Sequence, residues 1–270
     1  MYSSTIDLRK RQFDGLIASI IRYRWLIIAL VGRDLKMRYR GSTLGFLWTF
    51  LNPLLLMLVY TLVFSVYFRA EMKAYPAFLL SGLLPWLWFA TSVQSGTTSI
   101  IDGSSFVGKT VFPTQIIPLI PVLSGMVNYL LSLPILFIFI FFFHVQVGWN
   151  LLALPLIMIP HLLLILSVIY ITSTHNVFYR DLQQIINHIL TLTFFTLPIM
   201  YPMSVVPERM RPFILINPIA SISRGYQSIF YYNVPPNWIT LALITICAFI
   251  VCWLSKMVFD RNREIFAEYV

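Results

Sequence analysis

Charge is what this sequence lacks. Of its 270 residues only 11% are Asp, Glu, Lys or Arg, while 59% are hydrophobic and the mean hydropathy is +0.81. An ordinary soluble domain carries about 25% charged residues. A soluble fold of this size cannot cover its surface with so few charges, so the composition defines an integral membrane protein. Cysteine is scarce as well. Cys247 and Cys252 lie five apart inside one apolar stretch, where a disulfide along a helix has poor geometry, and they read as packing residues. Alternation of polar and apolar residues is missing from the hydrophobic runs, which makes β-strands a poor alternative to helices.

Reactive groupings are missing too. His144, His161, His175 and His188 show no metal-ligand spacing, and the carboxylates are scattered singly, so no enzyme site is expected. The intramembrane charged residues that mark proton or ion relays are absent, so any driving force for transport should come from outside this chain. The start, MYSSTIDLRKRQF, is polar and basic with no apolar region and cleavage site behind it; a signal peptide is not expected.

What is present is length of apolar chain. From Thr110 to Tyr179 there is no Asp, Glu, Lys or Arg. As one helix that stretch would be about 105 Å long, against a hydrocarbon core of about 30 Å, so it must fold back. HVQVGWN (144–150) is the best turn. The same length rule predicts an all-α, polytopic protein with six transmembrane helices at 44–68, 76–100, 115–143, 151–173, 184–202 and 238–257. Residues 1–43 then form an N-terminal segment, 44–257 the transmembrane domain and 258–270 a C-terminal tail.

The net charge of +9 suits nucleic acid in principle, but the cations sit beside apolar runs. Anionic lipid headgroups and membrane orientation account for them better, and no nucleic-acid partner is expected. Arg9, Lys10, Arg11, Arg22, Arg24, Arg33, Lys36, Arg38 and Arg40 precede the first span. With six spans, Lys109, Arg180, Lys256, Arg261 and Arg263 fall on the same side, making 14 of the 19 cations. That bias places both termini in the cytoplasm. The sequence RYRWLIIALVGRDLKMRYRG (22–41) is too short in its apolar part to span. Ile28, Val31, Leu35 and Tyr39 share one helical face and Arg33, Lys36 and Arg40 the other, predicting an amphipathic helix in the headgroup plane; a solvated basic arm is the alternative, since Gly32 interrupts it.

GSSFVGKT (103–110) fits the phosphate-binding pattern G-x-x-x-x-G-K-[ST] letter for letter. A working P-loop joins a buried strand to a helix within an α/β domain and needs a Walker-B Asp. The loop between spans two and three has no room for such a domain, so the match is expected to bind no nucleotide. DGSSFVGKTVFPT reads instead as Asp102 capping a short helix that Pro113 stops, either a plain connector or a docking element for a cytoplasmic partner.

Two other patterns stand out. In span one Phe46, Thr49, Pro53, Leu56, Tyr60, Phe64 and Tyr67 form one helical stripe, and Trp86 and Phe89 extend it in span two. Rings of this kind suit the C–H faces of sugars sliding through a pore, although aromatic stripes also pack helices together and mark membrane interfaces. Between spans five and six, residues 203–237 hold apolar pieces too short or too polar to cross. Pro218 after Asn217 should divide them into two short helices, with Arg224 on the second. An outer re-entrant gate hairpin fits, as irregular backbone at membrane depth needs protein or water around it; an outer loop lying on the membrane is the alternative.

RDLKMRYRGSTLGFLW (33–48) resembles the N-terminal signature of the ABC-2-type permeases that export O-antigen, capsular polysaccharide and teichoic acid. The matching positions are Asp34, Leu35, Lys36, Arg38, Tyr39, Ser42, Leu44, Gly45, Leu47 and Trp48. NPLL (52–55), Phe112-Pro113, FYRDL (178–182), PIMYP (198–202) and Asn217-Pro218 follow in the family's order, so the similarity covers about residues 20–260. Thr114 departs from it: many members have Arg after Phe-Pro, and a contact made by that Arg does not carry over.

The resemblance implies a homodimer in the bacterial cytoplasmic (inner) membrane, each copy paired with a separate ATP-binding cassette subunit that carries ATP and Mg. It implies no cofactor on this chain. Its cargo would be lipid-linked polysaccharide. The loop 101–114, with Ser104, Ser105, Phe106 and Lys109, would couple to the ATPase, and Arg180 and Asp181 would make a second contact, although that pair also reads as a local salt bridge in a turn. An ABC-2 exporter of a drug or small lipid, or a membrane-embedded lipid-modifying enzyme or scaffold, are the competing readings.

Overall fold

The computed structural model describes residues 16–67, 72–107 and 113–269. Among them every regular element is helical and no strand occurs, which is what continuous apolar runs require, because a helix satisfies its backbone groups within one segment. Two helices, α1 (Leu16–Arg22) and α2 (Arg24–Arg38), precede the first long one. Gly41 and Gly45, both at positive φ (80° and 47°), turn the chain into α3 (Trp48–Thr61), whose last turns loosen into a π-helix, Leu62–Tyr67. Then come α4 (Tyr75–Asp102), the single turn α5 (Ser104–Val107), α6 (Leu119–Phe142), α7 (Leu154–Phe178) and α8 (Leu182–Thr196). The short α9 (Arg211–Ile216) and α10 (Pro218–Gln227) lead to α11 (Trp238–Asn262) and the terminal turn α12 (Phe266–Tyr269).

Among the described residues five segments are long and apolar enough to cross a membrane: Gly45–Ser65, Tyr75–Asp102, Thr114–Phe142, Trp149–Phe178 and Trp238–Asn262. The turn expected at 144–150 is present, with His144 at a φ of 54°. The span expected at 184–202 is corrected. Its helix, α8, has 15 residues and is about 22 Å long, short of a bilayer core. Pro198 is the cause, since the residue before a proline is pushed out of the helical region; Leu197 is extended, at φ −84° and ψ 147°. The chain nonetheless traverses the bundle. Leu182 follows Phe178, whose ring meets Tyr269 at one end, while the Met200 carbonyl accepts from Tyr75 Oη (2.9 Å) at the start of α4.

The carbonyls freed where α8 ends are met by side chains. Tyr201 Oη donates to Thr196 O (2.8 Å), and Gln227 Nε2 donates to Pro198 O (2.9 Å). This is how non-helical backbone is tolerated at membrane depth.

Helix α4 lies at the centre, packed on α6 and α7 and flanked by α3, α8 and α10, while α11 runs along α7. Small residues permit close approach between apolar helices. At Gly125 on α6 an added Cβ would sit 2.8 Å from Trp88 Cδ1 and 2.3 Å from Ser92 Oγ. The Trp88 indole N–H donates to Val122 O (3.0 Å), and Ser167 Oγ on α7 donates to Ala248 O on α11 (3.0 Å).

Residues 203–237 divide where expected. Asn217 caps α10, its Oδ1 accepting from Ile219 N at 3.0 Å, and Pro218 takes the first helical position. Helix α10 is buried between α4 and α7, held by Tyr226 Oη to His161 Nδ1 (3.2 Å). Asn150 Nδ2 donates to Asn233 O (2.8 Å), tying the segment to the α6–α7 turn.

Candidate functional site

The end of the bundle that carries the C-terminal turn also carries the short loops. Helix α12 touches both α5 and α7, with Tyr269 edge-on to Phe178 at 5.1 Å. Ser104 and Ser105 are exposed in α5. The side chain of Phe106, and Lys109 and Phe112 altogether, lie outside the described residues. Asp102 does not cap this turn, contrary to expectation. It is the last residue of α4, and its carboxylate accepts from Thr98 Oγ1 (2.6 Å) one turn back. Gly103 therefore follows the C-terminal end of a 28-residue helix, where the dipole is negative. A phosphate cradle needs the opposite, N-terminal end. Arg180 and Asp181 are exposed in the turn between α7 and α8.

The interface helix is rotated from its expected face. Ile27 and Leu30 are buried, Tyr23, Val31, Asp34 and Arg38 are half-buried, and Ile28 is 60% exposed. The reason is packing: α2 rests on α6, so the residues that meet that helix define the inner face, and the charge pattern does not. Arg33, Lys36 and Arg40 are exposed, as expected. Arg38 is not part of that outer set. Its Nε donates to Asp34 Oδ2 at 3.1 Å.

The aromatic stripe of α3 faces its own bundle. Thr49, Pro53 and Met57 are buried, while Leu55, Leu58 and Val59 look outward. Tyr60 and Trp86 meet through a third ring, Phe194 on α8, at centroid distances of 5.5 and 5.7 Å. Trp86 continues to Phe89 (5.7 Å), and Phe64 stacks on Tyr75 (6.1 Å). Trp86 and Phe89 are buried within the chain; Phe46 (51%) and Tyr67 (73%) are the exposed members. Arg224 is exposed on the last turn of α10.

A cavity of about 560 Å³ opens among α2, α3, α4 and α6, lined by Arg38, Trp48, Asn52, Trp88, Thr91, Asn128, Tyr129 and Ser132, among others. A second, of about 570 Å³, lies under α9 and is bounded by Phe195, Tyr201, Val206, Met210, Phe213 and Asn217. Sequence reasoning missed the polar lining of the first cavity. The signal was there: Asn128 sits in an uncharged 70-residue run, where a buried amide is costly unless it is used.

A bundle of membrane-length helices, with a polar cavity among them and the short helix α10 buried against α4 and α7, is the architecture of a transport permease. The chain belongs to the ABC-2 type transporter family, whose description matches residues 26–231. It is 40% identical over 257 residues to the O-antigen export system permease protein RfbA of Myxococcus xanthus, covering 94% of this chain and 99% of that one. It is 32% identical to the RfbA permease of Klebsiella pneumoniae (90% and 94% covered). It is 26% identical to the polysialic acid transport protein KpsM of Escherichia coli (72% and 76%).

Proposed function

We propose that the chain is the membrane-spanning subunit of an ATP-driven exporter of lipid-linked, O-antigen-like polysaccharide. Near-full-length similarity to two O-antigen export permeases carries this reading. A polar cavity flanked by tryptophan and tyrosine supports it, since rings and amides suit sugars. The permease works as a homodimer in the cytoplasmic (inner) membrane of a bacterium, with both termini in the cytoplasm. Two copies of a separate ATP-binding cassette subunit supply ATP hydrolysis, docking on Ser104, Ser105 and Phe106 and beside Arg180 and Asp181. The exposed rings Phe46 and Tyr67 line the conduit. Trp86, Phe89, Tyr60 and Phe64 back it from within the bundle. Asn217, Pro218 and Arg224 belong to a hairpin that gates its outer end.

Deletion of the gene tests this. Surface polysaccharide should disappear while lipid-linked glycan accumulates on the cytoplasmic side, and the wild-type gene should restore display. Unchanged surface glycan in the deletion strain would sink the reading.

A further inference from the structure

The cavity among α2, α3, α4 and α6 contains bonds that the protein does not make for itself. Arg38 reaches it from the last turn of α2. Its Nε is held by Asp34, which fixes the plane of the guanidinium, while Nη2 is buried with no hydrogen-bond partner. Across the cavity, Asn128 Oδ1 and the hydroxyl of the buried Tyr129 are likewise without partners. Leaving a buried polar group unpaired is costly, and more so when it is charged. Three such groups around one cavity indicate that something polar completes them.

The charge and the opening narrow its chemistry. A guanidinium with one edge fixed and the other free suits a phosphate oxygen, which takes charge-assisted bonds in a defined plane. Among the described residues no carboxylate lines the cavity; Asp34, one turn from Arg38, is engaged by it, and Lys36 and Arg40 are exposed nearby in the sequence. The cavity is also open toward an exposed apolar surface. Leu55 lines it and is half exposed, beside Leu58 and Val59 on the outward face of α3. A ligand seated here has a polar head at Arg38 and a way out for an apolar tail.

We propose that this cavity binds the phosphoryl headgroup of a lipid. Arg38 Nη2 donates to a phosphate oxygen, Asn128 takes a hydroxyl of the attached head, and the tail leaves past Leu55 into the bilayer. Two sources share this chemistry: an anionic phospholipid of the membrane, or the phosphate that links a glycan to its lipid carrier. The second depends on the exporter reading above.

The test titrates the full-length chain, in a nonionic polyoxyethylene detergent, with farnesyl diphosphate and with dioctanoyl phosphatidylglycerol. Farnesol and dioctanoylglycerol serve as their unphosphorylated counterparts, and binding is followed by thermophoresis. The phosphorylated probes should bind at least about tenfold tighter than the alcohols, as a charged hydrogen bond implies, and R38Q should erase that difference. R38K keeps the charge without the fork and should retain part of it; if R38Q does not purify, a drop of about threefold or more in R38K is the readout. N128L should weaken dioctanoyl phosphatidylglycerol, whose head carries hydroxyls, by about fivefold or more and leave farnesyl diphosphate, which has none, little changed. Preference for the diphosphate assigns the site to the glycan carrier, and equal binding of both assigns it to membrane phospholipid. Equal binding of phosphorylated and unphosphorylated probes, or wild-type discrimination in R38Q, overturns the proposal. Surface glycan is scored separately in cells. A wild-type chain that does not discriminate, while the deletion strain loses its surface glycan, removes this site alone; unchanged surface glycan in the deletion strain, with discrimination intact, removes the exporter reading alone.

Discussion

Gly96 on α4 and Ile169 on α7 touch with no room for a methyl group between them. A Cβ on Gly96 would lie 2.6 Å from Ile169 Cδ1 and 2.7 Å from both of its Cγ atoms. Gly96→Ala should therefore destabilise the bundle by about 1–3 kcal/mol, the usual range for overpacking. Adding Ile169→Ala should recover part of that loss. Melting of the purified protein measures both, and a Gly96→Ala protein that melts like wild type would contradict the contact.

The aromatic residues separate into two groups with opposite expectations. Trp86→Ala empties buried space against Phe194 and should cost about 3–5 kcal/mol, as large aromatic truncations in cores do; Tyr60→Ala, at a half-buried ring on the same Phe194, should cost less. Phe46→Ala and Tyr67→Ala remove exposed rings and should change stability by no more than about 0.5 kcal/mol, while lowering surface glycan if they line the conduit. Normal glycan display in the Phe46→Ala, Tyr67→Ala double variant would exclude those two rings from the path.

Coupling is tested at α5. Ser105→Trp places a bulky ring on an exposed position that the proposed ATPase contact would cover. Hydrolysis by the assembled exporter should continue while export falls. Lys109→Ala should leave nucleotide affinity unaltered, and the purified chain alone should bind no ATP. Measurable ATP affinity of the isolated chain would contradict the reading of GSSFVGKT as a coupling loop.

Orientation is accessible to labelling. With Cys247 and Cys252 replaced, a cysteine at Arg263 or Arg180 should react only with reagent supplied from the cytoplasm, and one at Arg211 only from outside. Reaction of Arg263→Cys from outside would mean that the segment 182–200 does not complete a crossing.

The long spans were legible because nothing competes with lipid as the solvent for a run such as 115–143: length and polarity decide it. The break at Asn217–Pro218 was legible for an equally local reason, a cap residue followed by a proline. The end of α8 was misjudged because apolar composition continues through Leu197, Pro198 and Ile199, and only the proline's effect on the preceding residue ends the helix. The face of α2 was misjudged by one position, since Ile28 fits the charge pattern but Ile27 fits the neighbour. Asp102 was assigned to the wrong helix because a capping carboxylate and a C-terminal one look alike in a loop sequence. Asn128 in an uncharged run hinted at a polar space, but the cavity itself was not legible. Arg38 and Asn128 are 90 positions apart, and only the packing of α2 on α6 brings them to one space.

The bond from Gln227 to Pro198 joins the buried helix α10 to a stretch of backbone that lies outside any helix. Drawing α10 away strips the Pro198 carbonyl of its donor, and hydrocarbon tails cannot replace it. Any rearrangement of α10 must therefore bring the Pro198 carbonyl another donor, from water or from a second side chain.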